Sequence, residues 1–154
     1  MEDNILKYIK DDKIDEYFAE YKDEVVKMRR ELHKIPEIGF ETKKTANYIK
    51  NEIVNYGYEI KEVLRNGLIA YKKGSSSKKA VAFRADMDGL ELNEDTGVDF
   101  SSTHSGKMHG CGHDGHLTIL LNFARYLSEF EELKRDVVLI FQPAEESPGG
   151  AEPL

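Results

Sequence analysis

The 154-residue sequence has no tryptophan, a single cysteine and four prolines, and nowhere a run of the roughly 18 apolar residues that a membrane-spanning helix requires. One cysteine cannot make an intrachain disulfide, which removes the disulfide-stapled classes and points to the reducing cytoplasm. Positive charge is also scarce: 22 basic against 29 acidic side chains leave a net charge of −7, spread along the chain. Such a surface repels phosphate backbones and anionic lipid, so neither nucleic acid nor a membrane is the expected partner, and a small molecule is. The opening residues, MEDNILKYIKDDKIDEYF, lack the basic start and unbroken apolar run of a signal peptide.

What is present suffices for one core. Residues of the set AVILMFWYC make up 40 % of the chain, and a length of ~100–200 residues ordinarily means one domain. From Ile14 to Leu32 apolar residues recur at steps of three or four (Ile14, Tyr17, Phe18, Tyr21, Val25, Met28, Leu32), which predicts one amphipathic helix closed ahead of Pro36. A second helix is predicted over about 42–56, stopped by Gly57.

Beyond Gly57 the period shortens, and strands are expected around Tyr58 to Val63, Leu68 to Tyr71 and Ala80 to Phe83. Gly74 to Lys79, GSSSKK, reads as a solvated hairpin turn and only weakly as a phosphate loop, because it does not stand at a strand-to-helix junction. A long irregular stretch, 86–112, is of the kind that is functional or disordered. Leu117 to Phe130 reads as a helix and DVVLIF, Asp136 to Phe141, as a buried strand. Alternating strands and helices argue an α/β sheet.

Three segments carry chemistry. Met108 to His116, MHGCGHDGH, gathers the only cysteine and three of the five histidines, donors suited to zinc, manganese, cobalt or nickel, with glycines that let side chains two apart converge. Asp114 either caps the following helix or holds a ligand histidine by its second ring nitrogen. A cysteine hydrolase with Cys111 as nucleophile and His113 as base is the weaker alternative, since such pairs normally meet only in the fold. Gln142-Pro143-Ala144-Glu145-Glu146 follows the DVVLIF strand, where one carboxylate can bind a cation and its neighbour can move protons; a solvated acidic turn is the plain alternative. Arg84-Ala85-Asp86-Met87-Asp88 also ends a strand, and an aspartate there orients a ligand imidazole, sits between metals or closes a turn on backbone amides.

RRELHKIPEIGFE (Arg29 to Glu41), FRADMDGL (Phe83 to Leu90), MHGCGHDGH (Met108 to His116) and FQPAEESPGGA (Phe141 to Ala151) resemble, in order and spacing, the blocks of the bacterial and plant metal-dependent amidohydrolases that include hippurate hydrolase, N-acyl-amino-acid amidohydrolase and auxin-conjugate hydrolase. The resemblance implies a three-layer α/β fold of the zinc-exopeptidase kind with a mixed sheet flanked by helices, and the hydrolysis of N-acyl amino acids by two divalent metals per complete site (Mn, Zn, Co or Ni). It implies Cys111, His113 and Glu146 as metal ligands, Glu145 as general base and acid, and Asp86 as the aspartate that steers a site residue. His109 and His116 are not ligands in that pattern, and His33 is expected to pack.

Two departures stand out. Glu91 replaces a common proline, and the family is more than twice as long, with two further histidine ligands and an inserted lid or dimerisation domain that makes homo-oligomers. On that reading residues 1–154 are the N-terminal part of the catalytic domain, with little activity alone; a truncated, non-catalytic pseudoenzyme with weak metal binding is the rival.

Overall fold

The computed structural model describes residues 12–154; the acidic N-terminal stretch 1–11 lies outside them. Three helices open the described chain: α1 (Asp12–Glu20), α2 (Lys22–His33) and α3 (Lys43–Val54). Strands β1 (Glu59–Val63), β2 (Gly67–Lys72) and β3 (Ser76–Asp86) follow, then α4 (His113–Ser128) and β4 (Arg135–Gln142). No helix of the described residues is long and apolar enough to cross a membrane.

The single helix expected from Ile14 to Leu32 is two, broken at Tyr21. No proline or glycine marks that break. The turn sets the Tyr21 ring 4.7 Å from Tyr17 and beneath the Arg125 guanidinium, 3.7 Å above it, while Tyr21 N–H to Tyr17 O and Val25 N–H to Tyr21 O carry the backbone bonding across it. α2 ends at His33 and the chain extends into Pro36 as the proline requires. Helix α3 is capped from outside: its N-cap Thr42 makes no side-chain bond, and the Glu37 carboxylate instead accepts the backbone N–H groups of Lys44 and Thr45, at 3.1 and 2.9 Å.

The strands form one mixed sheet in the order β1-β2-β4-β3. β4 is antiparallel to β2 and parallel to β3. The segment Gly74 to Lys79 is therefore no hairpin, because β4 lies between the strands it joins; Gly74 N–H donates to Asp136 at 2.8 Å and Ser75 N–H to Leu133 O at 2.8 Å. A Cβ at Gly74 would overlap the Arg135 backbone, so glycine is required where the chain crosses the start of β4.

Leu68, Ala70, Ala85, Val137, Leu139 and Phe141 form one buried core with Ile49 and Ile53 of α3 and Leu117, Leu121 and Ala124 of α4. Met28 and Leu32 bring α2 into the same core. On the opposite face Ile69, Val138 and Ile140 are only half-buried. Each fully buried Leu or Phe contributes roughly 1.5–3 kcal/mol of apolar transfer.

The β3–α4–β4 crossover positions the site. Parallel strands end on the same rim, Asp86 opposite Gln142 in register, and the helix between them starts at that rim with His113. The carboxyl ends of such strands are where open α/β sheets present their chemistry. The stretch 87–112 is ordered: Leu90 and Met108 form a two-way bridge, Gly89 N–H reaches Glu37 O at 2.7 Å, and Thr103 N–H reaches Lys34 O at 2.9 Å.

Candidate metal centre

His113 is the first residue of α4 and is buried, with 4 % of its surface exposed. The preceding Gly112 has φ +87°, a left-handed conformation that glycine adopts without strain and that turns the chain from loop into helix. His113 Nδ1–H donates to the Asp88 carbonyl at 2.8 Å. That bond leaves Nε2 bare and fixes its direction. Around Nε2 stand Asp86 Oδ1 at 3.6 Å, Glu145 Oε2 at 3.7 Å and Glu146 Oε1 at 3.7 Å. Burial pulls the imidazole pKa down, but the Asp88 hydrogen bond and the Asp86 charge outweigh it, and the net direction is up.

Glu145 and Glu146 owe their place to a tight turn after β4. Ala144 sits there with φ +56°, a strained conformation for a residue with a Cβ. Its N–H donates to Gly39 O at 3.0 Å, and its carbonyl accepts the N–H groups of Gly149 and Gly150, at 3.1 and 2.8 Å. The Glu145 and Glu146 N–H groups donate in turn to Asp88 Oδ1 and Oδ2. Burial would raise the Asp88 carboxyl, yet bonds from His113 and from these two amides hold it below the usual carboxylate range.

Asp86 accepts His116 Nδ1–H at 2.7 Å and Arg84 Nη1–H at 3.1 Å. Two overlapping groups of potential donors result, Asp86–His113–His116 and His113–Glu145–Glu146, each with its ligand atoms mutually within 4.8 Å. Cys111 belongs to neither and is exposed. Its thiol is hydrogen-bonded to Glu146, and that bond, with burial and the surrounding carboxylates, pushes it up to about 11. A thiol held in that way is the opposite of an activated nucleophile, so the cysteine-hydrolase reading finds no support.

The structure brings four of the sequence-derived residues, Asp86, His113, Glu145 and Glu146, together directly, and Cys111 beside Glu146. Several roles differ from expectation. Asp114 neither caps α4, whose N-cap is Gly112 without a side-chain bond, nor holds His113; it accepts Gly115 N–H at 2.9 Å and pairs with His33 and Arg29. His33, expected to pack, lies in that polar network. His109 is buried with both ring nitrogens unpartnered, and burial lowers its pKa to about 4. Asp88 is the residue at the site to which the motif reading gives no role of its own. Its signal was the Asp86-x-Asp88 alternation at a strand end, and it does close a turn on backbone amides, 57 residues away.

A bare imidazole nitrogen ringed by carboxylates at the rim of an α/β sheet is a donor set suited to a divalent cation. Known proteins agree. Residues 82–154 match the sequence profile of peptidase family M20/M25/M40. The N-acetyldiaminopimelate deacetylase of Bacillus licheniformis is 47 % identical over 134 residues, 86 % of this chain and 36 % of the relative. Among solved structures, the Bacillus subtilis YXEP protein, described as a dinuclear metal binding peptidase from the M20 family, superposes with a TM-score of 0.80 at 38 % identity, over 88 % of this chain and 38 % of that one. The aminobenzoyl-glutamate utilization protein of Klebsiella pneumoniae shares the fold, with a TM-score of 0.70 at 23 % identity over 90 % and 41 % of the two chains. Residues 82–154 carry a domain of peptidase family M20/M25/M40, and the chain spans little more than a third of the length of the curated relatives it matches.

Proposed function

We propose that the chain is the N-terminal part of the catalytic domain of an amidohydrolase that splits the amide bond of N-acyl amino acids, releasing a carboxylate and a free amino acid. The observation that carries this reading is the convergence of Asp86, Glu145 and Glu146 on the bare Nε2 of His113 at 3.6–3.7 Å. Two donors that share a tetrahedral ion at ~2.1 Å stand ~3.4 Å apart, so the spacing fits a divalent cation. Imidazole, carboxylate and thiol donors suit Mn, Zn, Co or Ni.

His113 and Glu146 would hold the metal pair, with Cys111, whose thiol lies beside Glu146, as a third ligand. When bound, two divalent ions polarise the acyl oxygen and lower the pKa of water. Glu145, 40 % exposed at its side chain, takes the proton from the attacking water and returns it to the departing nitrogen. Asp86 holds His116 and Arg84 beside the reacting groups. The deacetylase relatives, named for an N-acetylated amino acid, support the substrate class. A lone exposed thiol favours the reducing cytoplasm.

Titration of the metal-free chain with Zn2+, Mn2+ and Co2+ tests the site: saturable binding that EDTA reverses is expected. In the enzyme that carries the complete domain, Glu145→Gln keeps its metal and loses ~10²–10⁴-fold in turnover of N-acetyl amino acids; undiminished turnover would overturn the role given to Glu145.

A further inference from the structure

Next to the candidate metal centre lies a second cluster of buried titratable groups for which the hydrolytic reading has no use. His33, the last residue of α2, is 4 % exposed, and its two ring nitrogens face carboxylates on both sides: Nδ1 stands 2.6 Å from Asp114 Oδ2, and Nε2 stands 3.1 Å from Glu94 Oε1. Both contacts are hydrogen bonds only if each nitrogen carries a hydrogen. Asp114 is wholly buried, follows His113 in the chain, and also pairs with Arg29 Nε at 3.0 Å. Glu94 Oε1 also accepts Thr96 Oγ1–H, and Glu94 Oε2 accepts the Ser102 N–H, each at 2.6 Å. The Arg29 guanidinium lies 5.5 Å from the Phe100 ring centre.

The arrangement has a topological meaning. Glu94 and Asp114 bracket the stretch that contains Cys111 and leads into His113. One imidazole from a different helix ties the two ends together. Gly112 and Gly115, on either side of His113, have no neighbour within 4 Å of where a Cβ would stand, so the start of α4 is held through the buried side chains of His113 and Asp114.

We infer that His33 and Arg29 are positioning residues that set the direction of the His113 imidazole by clamping Asp114. The role is indirect, because neither side chain contacts the ring of His113. Asp88 chooses which nitrogen of His113 is bare; the α2 clamp chooses where that nitrogen points. The metal-binding arm of the inference rests on the function proposed above, whereas the orientation arm does not.

The test uses ¹⁵N-histidine-labelled chain without metal. Wild type should show one His113 tautomer, protonated at Nδ1, in long-range ¹H–¹⁵N spectra. His33→Leu should average the two ring-nitrogen shifts of His113 while the chain still melts cooperatively, and should weaken Co2+ binding about tenfold with an altered visible spectrum. His33→Asn, which offers a donor where Nδ1 stood but none toward Glu94, should restore both signals. Arg29→Gln, at a part-exposed side chain, provides the same readouts should His33→Leu fail to fold, with a shift in the same direction. Unchanged His113 shifts in a folded His33→Leu or Arg29→Gln chain overturn the inference, as does failure of His33→Asn to rescue. Absence of Co2+ binding by wild type would instead overturn the metal reading and leave the ring shifts to decide this one.

Discussion

Asp88 Oδ2 accepts the backbone N–H of Glu146 at 3.1 Å, and Oδ1 accepts that of Glu145 at 3.0 Å. The same residue's carbonyl takes Nδ1–H of His113. One aspartate on the β3 side thus fixes the turn after β4 and the first residue of α4, three segments distant in sequence. Asp88→Asn presents an NH₂ group to one of the two amides, leaving a buried donor unsatisfied. A loss of about 1–3 kcal/mol in stability is expected, read as a lower Tm, together with weaker metal binding. An unchanged melting curve would mean that the two amides find other acceptors.

Two glycines near the site respond to alanine with opposite sign. A Cβ at Gly150 would overlap the Pro143 carbonyl oxygen, within the turn that presents Glu145 and Glu146. Gly150→Ala should destabilise by about 1–3 kcal/mol or more. At Gly115, inside α4, a Cβ meets nothing within 4 Å, and the higher helix propensity of alanine should stabilise by up to about 1 kcal/mol. Urea titration of both variants checks the contrast; equal shifts would refute it.

Acid should act through Glu94. Burial alone would raise this carboxyl, but bonds from Thr96, the Ser102 amide and His33 outweigh it and hold it at about 2, below its ordinary 4.5. A depressed carboxylate contributes stability that is complete above the unfolded value and lost as the pH falls toward the folded one. The difference in Tm between wild type and Glu94→Gln should therefore be constant above about pH 4.5 and close as the pH approaches 2. A difference that persisted at pH 2 would show that ionisation of Glu94 contributes nothing.

Much of the architecture was legible where the signal is local. The helical spacing of Ala46, Ile49 and Ile53 and the apolar run DVVLIF define α3 and β4 because burial on one face dictates residue type at a fixed period. The insertion of β4 between β2 and β3 was not legible: an apolar strand announces that it is buried, not which neighbour it pairs with, and GSSSKK was read as a hairpin for that reason. The site divides in the same way. The cysteine, the histidines and the paired glutamates stood out because few side chains can bind a cation. Asp88 and His33 did not, since an aspartate in a turn and a histidine in a helix become informative only through partners 57 and 81 residues away. Glu37 caps α3 from only 7 and 8 residues before the amides it takes, but its carbonyl bond to Gly89 N–H was hidden by distance in the same way.

β3 is an end strand of the sheet, and Asp86 is its last residue. Its amides that face β4 are held in a ladder, while those on the other side have no strand to bond to among the described residues, so half of this backbone should exchange its hydrogens early and the other half late. Of the strands that reach the site rim, the one carrying Arg84 and Asp86 is consequently held by a single neighbour, β4. Any strand laid along that open edge would slow the early amides and, through the same backbone, steady Asp86 and the His116 ring it holds.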